Sequence, residues 1–258
     1  MKISNNNSYY KLPILDGLEL FDAKRHTQNF PFHTHNTFNI TLVLDQLFTT
    51  RLPDRLVKAP VGTIVVTNPE EVHATICDNK WGSSFFTFYV SPEVLKDLNN
   101  NKPVGFYDKV IYDNRLFQQL FALSQGYLHS GDEIEKKLLP ALKQLAGSHA
   151  SDTNPAGNKS RLFQTFLQED TAGKFNLETT AAKFGLDKYK FLRLFKQQTG
   201  LTPNTYIILK RIERCKELLQ TQEDLLDIAI QTGFYDATHL CKYFKKITGI
   251  TPLAYRYA

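Results

Sequence analysis

Five residues in one short run, Lys188, Tyr189, Lys190, Arg193 and Lys196, share the chemistry of a nucleic-acid contact. Arginine can grip O6 and N7 of guanine with two parallel hydrogen bonds, and tyrosine can touch a thymine methyl or a phosphate. Lysine neutralises phosphates, which supplies affinity and register without sequence information. Base reading is therefore expected of Arg193, and phosphate contact of Lys188, Lys190 and Lys196. A second run holds Ala237, Thr238, His239, Lys242, Lys245 and Lys246. It has fewer long donors near its start, so more backbone contact and less base readout are expected there.

Both runs sit inside an internal repeat. Thr199-Gly200-Leu201-Thr202-Pro203 with Tyr206 recurs as Thr248-Gly249-Ile250-Thr251-Pro252 with Tyr255, and Phe195-Lys196 recurs as Phe244-Lys245. Ala181 and Gly185 match Ala229 and Gly233 with a slightly shorter offset, which places a one-residue insertion near Tyr235. Such self-similarity means one supersecondary unit used twice. In the first copy, Leu177, Ala181 and Phe184 lie on one face of a short helix. Gly185 can end it in the left-handed conformation. Asp187 then caps a second helix from Lys188 to Gln198 that buries Phe191, Leu194 and Phe195. In the second copy, Leu225, Ile228, Ala229 and Thr232 lead to Gly233. Asp236 then caps a helix burying Leu240, Tyr243 and Phe244. Two helices joined by a short glycine-containing turn are the helix-turn-helix signature.

Between the copies, Thr202-Pro203 opens a longer helix, with proline at the first helical position where its missing N–H costs nothing. Tyr206, Leu209, Ile212, Cys215 and Leu219 form its apolar stripe, and Lys210, Arg211, Arg214 and Lys216 lie around its other faces. A rigid helix there would hold two reading units at the spacing of successive major grooves, about 34 Å apart.

The charge follows this division. The 258 residues carry 31 basic and 26 acidic side chains, a net charge of +5. Residues 1–159 hold 16 of each, so residues 160–258 hold 15 basic and 10 acidic and carry the whole excess. The segment 147–159 is small, polar and broken by glycine and proline, as a linker is. The chain is thus read as a first domain over 1–146, a linker over 147–159 and a DNA-binding domain over 160–258. No apolar stretch is long enough for a membrane span, and the N-terminus has no signal-peptide core. Three scattered cysteines make neither a disulfide framework nor a zinc site. A cytoplasmic setting is the expectation.

The first half reads mostly as strand, with β-branched and aromatic runs over 37–48, 62–67 and 83–90. Several short strands suggest a sandwich or barrel. Helices are expected over 114–128 and 132–146. In the second of these, Ile134, Leu138, Leu142 and Leu145 form a stripe that could pack on the barrel or on a second copy of the chain, and a homodimer contact is the expectation.

Residues 160–258 resemble the AraC/XylS family of bacterial transcription regulators. The resemblance rests on Ala181-Ala182-Lys183-Phe184-Gly185-Leu186, Phe191-Leu192-Arg193-Leu194-Phe195-Lys196 and Arg211 to Leu219, then Ile228-Ala229, Gly233-Phe234 and Phe244-Lys245-Lys246. It implies seven helices with two helix-turn-helix units. It places Tyr189, Leu192 and Arg193 at the base-facing positions of the first unit, and Thr238, Cys241 and Lys242 at those of the second. Leu192 and Cys241 stand where polar readers are common.

The first half is similar to the cupin-type sensor domain that often precedes such a domain, through Pro31-Phe32-His33-Thr34-His35 and Val61 to His73. The implied fold is α+β: a cupin-like β-barrel with a helical dimerisation segment, then an all-α domain. A cupin enzyme would hold a metal with His33, His35, His73 and a glutamate, but Asn39 and its neighbours supply no carboxylate, so no metal or other cofactor is expected. His33, His35 and His73 are instead expected to line a ligand pocket with Phe38, Trp81, Phe86 and Phe88, suited to a small organic effector.

The leading expectation is a non-enzymatic, sequence-specific regulator with double-stranded DNA, RNA polymerase and an unidentified small-molecule effector as partners, acting as an activator. Two alternatives stay open: a DNA-binding regulator whose barrel only dimerises, and a metal-dependent cupin enzyme with a helical appendage.

Overall fold

A computed structural model describes residues 6–78, 80–126, 131–151, 163, 173 and 175–258. The chain forms two compact units: the first takes residues 1–29 and 34–157, and the second takes residues 158–258 together with the short segment Phe30–His33.

In the first unit, β1 (Asn6–Leu12), β2 (Leu18–His26), β8 (Ser83–Val90), β3 (Phe38–Asp45), β6 (Ile64–Thr67) and β9 (Val110–Ile111) form one sheet in that spatial order. A second sheet is made of β5 (Leu56–Ala59), β4 (Phe48–Arg51) and β7 (Ala74–Ile76). The expected barrel is corrected: among the described residues there are two separate sheets and no closed barrel. Helices α1 (Pro92–Leu98), α2 (Asn114–Gly126) and α3 (Gly131–His149) follow β8.

Strand alternation gives the larger sheet two different faces. On one, Leu20 and Ile40 flank Phe88, and Leu42 pairs with both Phe86 and Ile64. These side chains join Leu95, Leu116, Leu120, Ile134, Leu138, Leu142 and Leu145 in a single buried core. The stripe of α3 is thus spent within its own domain, so the homodimer contact assigned to it is corrected. An amphipathic helix beside an apolar sheet face removes more area from water by covering that face than by leaving both exposed. Helix α3 also runs three residues into the proposed linker, and Ser151 donates its backbone N–H to the Gly105 carbonyl at 2.8 Å. The remainder of that linker lies outside the described residues.

The second unit holds six helices among the described residues: α4 (Leu177–Lys183), α5 (Lys188–Thr199), α6 (Pro203–Leu218), α7 (Leu225–Gln231), α8 (Ala237–Thr248) and α9 (Pro252–Arg256). Their boundaries follow from side-chain caps. Asp187 accepts from the Tyr189 and Lys190 N–H groups at 2.9 Å, and Asp236 accepts from the His239 N–H at 2.7 Å. Each satisfies donors that a helix start leaves open. The turns after α4 and α7 pass through Gly185 (φ +66°) and Gly233 (φ +81°), a backbone region that favours glycine. The repeat reaches the hydrogen bonds: Thr199 Oγ1 donates to Phe195 O and Thr248 Oγ1 to Phe244 O, each at 2.8 Å.

Candidate nucleic-acid interface and sensor face

On α5, Tyr189, Arg193 and Lys196 stand at i, i+4 and i+7, one stripe of a helix surface. On α8, Thr238, Lys242 and Lys245 stand at the same spacing. These side chains lie on the outer surface of their helices, and Tyr189 is 73% accessible. The duplicated fold therefore presents two matching stripes. Each is held from behind by buried side chains: Phe191 and Phe195 on α5, Leu240 and Phe244 on α8. The shortened offset is accommodated in the second turn, where Tyr235 is 88% exposed.

Two of the predicted contact residues are already engaged. Lys188 Nζ lies 2.6 Å from Glu178 Oε1 on α4, and this pair holds the Glu178 carboxyl below its usual range. His239 Nδ1 accepts from the Tyr235 N–H at 3.3 Å, and its ring meets Phe234 and Tyr243 edge-on at 5.4 and 5.0 Å. Lys190 is exposed beside the α5 stripe. Leu192 and Cys241 are half-buried.

In the first unit, the face of the larger sheet opposite the helices is partly polar. Cross-strand register sets Glu19, Tyr89, Asn39 and Thr67 in one row, and Phe21, Thr87, Thr41 and Val65 in the next. Thr41 and Thr87 hydroxyls bond each other at 2.9 Å in buried surroundings. Tyr9 Oη donates to Glu19 Oε2 at 2.5 Å. Burial, and then the nearby Glu19 charge, push the Tyr89 phenol up. The Phe48 ring of the smaller sheet packs edge-on against Phe85 at 5.0 Å, so the two sheets meet over this face.

His35 joins this face, with its ring 5.2 Å from Tyr89 and 5.4 Å from His73. His33, His35 and His73 bring one ring nitrogen each within 4.8 Å of one another. His33 Nδ1 donates to the Pro31 carbonyl at 2.7 Å and His73 Nδ1 to the Glu71 carbonyl at 2.9 Å. A carbonyl only accepts, so Nδ1 carries a proton in both rings and Nε2 is the atom left to act as a ligand when a ring is neutral. Burial drives the His73 imidazole down to about 4, so it is neutral at physiological pH. Three imidazoles so arranged form a donor set that suits a divalent transition ion. Among the described residues no carboxylate joins this group, and Asn39 accepts from Thr37 Oγ1 at 3.3 Å.

Four of the seven predicted pocket residues belong elsewhere. Phe38, Phe86 and Phe88 point into the helix-covered core. Trp81 is 62% exposed, with Lys80 Nζ 5.0 Å from its ring centre. The opposite face of the sheet carries Tyr9, Glu19, Thr41, Thr87 and Tyr89 instead. The signal that could have found them is the alternation of 83–90, obscured because Phe85 and Phe86 are adjacent and both large.

Comparison with known proteins agrees with this anatomy. A family model described as an AraC-like ligand binding domain matches residues 17–164, and a helix-turn-helix domain model matches residues 180–258. An uncharacterised helix-turn-helix transcriptional regulator, YbfI of Bacillus subtilis, is 26% identical over 86% of both chains. The transcriptional activator RhaS of Citrobacter koseri is 36% identical over 50% of both. Among solved structures, a point variant of apo ToxT from Vibrio cholerae covers 99% of both chains with a TM-score of 0.57 at 13% identity, a likeness of fold. No described helix is long and apolar enough to cross a membrane. With the ligand-binding model over more than half of its length and the paired helix-turn-helix units beyond it, the chain belongs to the AraC family of DNA-binding transcription regulators.

Proposed function

We propose that the chain reads a bipartite DNA site with the stripes of α5 and α8, and that a small organic molecule on the inner face of the larger sheet controls this reading. The observation that carries the DNA reading is the equivalence of Tyr189, Arg193 and Lys196 with Thr238, Lys242 and Lys245, each stripe backed by buried side chains at matching positions. Arg193 is the base reader. Tyr189 and Thr238 supply further contacts, and Lys190, Lys196, Lys242 and Lys245 position the backbone. Arg193→Ala is expected to lower specific affinity by about 1–3 kcal/mol and to relax one base position. Unchanged specificity would remove that assignment.

The effector reading rests on a face that combines aromatic rings with a few fixed polar groups, the usual composition of a small-molecule site. His35, His73, Tyr89, Thr41 and Thr87 are its contact residues. A solved ToxT structure is described as bound to an unsaturated fatty acid, which makes fatty acids a sensible part of a screening library. A true effector raises the melting temperature by mass action, and Thr87→Val should reduce that rise. The chain acts in the cytoplasm as a homodimer and contacts RNA polymerase as an activator. It catalyses no reaction.

A second reading, a metal-dependent enzyme, has the cluster of His33, His35 and His73 in its favour. Stoichiometric iron, manganese or zinc in purified chain, lost in His33→Ala, would support it. Metal-free chain with full DNA binding would remove it.

A further inference from the structure

By sequence, Arg211 is one of four basic residues around the outside of α6, alongside Lys210, Arg214 and Lys216. The structure separates it from two of the others. Lys210 pairs with Glu213, and Arg214 with Glu217, each along the surface of the helix itself. Arg211 reaches away from the helix to two backbone carbonyls. Its Nη1 donates to Gly233 O at 2.5 Å and its Nη2 to Gly173 O at 2.8 Å.

The identity of these two acceptors gives the contact its meaning. Gly233 is the left-handed turn residue between α7 and α8, at the centre of the second helix-turn-helix unit. Gly173 stands four residues ahead of α4, on the approach to the first unit. One guanidinium on the connecting helix therefore holds the backbone leading into one unit and the backbone turn of the other. One helical turn further along, Cys215 Sγ donates to Thr232 Oγ1 at 3.2 Å, and Thr232 is buried. Positions i and i+4 of α6 thus grip the consecutive residues Thr232 and Gly233.

Charge-assisted bonds from a planar guanidinium fix orientation as well as distance. Carbonyl acceptors of the main chain, unlike side-chain partners, cannot turn away by changing rotamer. An exposed ion pair would leave the neighbouring element free to swivel, whereas two backbone anchors on one rigid group do not.

Resting on the reading that both units bind DNA, we propose that Arg211 is a positioning residue that sets the relation of α5 to α8. It thereby sets the half-site spacing the protein accepts. It need touch no DNA to do so.

The test uses the full chain and DNA duplexes that the wild type has selected from a random pool, together with versions carrying one or two base pairs inserted between the half-sites. Wild type is expected to bind the one-pair insertion at least tenfold more weakly than the selected spacing. For Arg211→Ala this penalty should shrink to less than threefold, with the selected spacing itself bound several-fold more weakly. Arg211→Lys, which can keep one of the two carbonyls, should fall between. If circular dichroism shows that Arg211→Ala is not fully folded, Arg211→Lys and Cys215→Val carry the same comparison. Variants that bind more weakly overall but keep the full wild-type penalty would overturn the proposal, because a merely stabilising side chain would behave so. A wild type indifferent to spacing would overturn the two-unit reading itself, and the positioning role with it.

Discussion

Glu178 Oε1 lies 2.6 Å from Lys188 Nζ, which ties the first helix of the first reading unit to the start of its reading helix. Both side chains are solvent-exposed, so the pair adds little to folding. It does occupy a cation that the DNA face could otherwise use. Glu178→Gln should leave the melting temperature nearly unchanged, tighten binding to non-specific DNA at low salt, and steepen the slope of log K against log salt by about one. A slope equal to that of wild type would mean that Lys188 never reaches a phosphate.

Leu138 is wholly buried between α3 and the larger sheet. Leu138→Ala should therefore destabilise the first domain by about 2–5 kcal/mol. It should leave the oligomeric state of the folded fraction as in wild type. Denaturant unfolding with sedimentation on the same samples checks both. A change in oligomeric state at constant stability would restore the dimer role that the α3 stripe suggests.

Acidification should weaken the sensor domain through His73. An unfolded chain protonates this ring near 6.5, but burial lowers the folded value to about 4. Between these values the unfolded state binds more protons, so stability is full above about pH 6.5 and falls as pH drops toward 4. The loss is on the order of 3 kcal/mol. His26 is shifted in the same direction, also by burial. Melting temperatures from pH 7.5 to 4.5 should show the decline, and His73→Gln should flatten it. Superimposable profiles would mean that His73 is solvated.

Legibility differs between the two halves for physical reasons. Caps, glycine turns and the 3.6-residue period are local, so Asp187, Gly185 and the buried faces of α5 and α8 follow from neighbours in sequence. The mates of Lys188 and His239 come from other elements or from the preceding turn, and no spacing rule announces them. In the sheets, a strand with large side chains on both faces gives no sign of which face meets the helices. The residue pattern therefore points Phe86 and Phe88 into a ligand pocket, whereas they lie on the helix-covered face and Thr87 and Tyr89 lie on the opposite one. The strand β2 forms a local hairpin with β1, but its place in the sheet comes from pairing with β8, far along the chain, which no local pattern announces. The α3 stripe is legible as apolar but silent about its partner, because a sheet and a second protomer demand the same residues.

The central claim is that both helix-turn-helix units read DNA, and selection of bound duplexes from a random pool by the full chain tests it most directly. The predicted result is a motif of two half-sites with centres about one helical turn apart. Arg193→Ala should degrade one half and Lys242→Ala weaken contacts at the other. A single half-site, unaffected by any change on α8, would contradict the account.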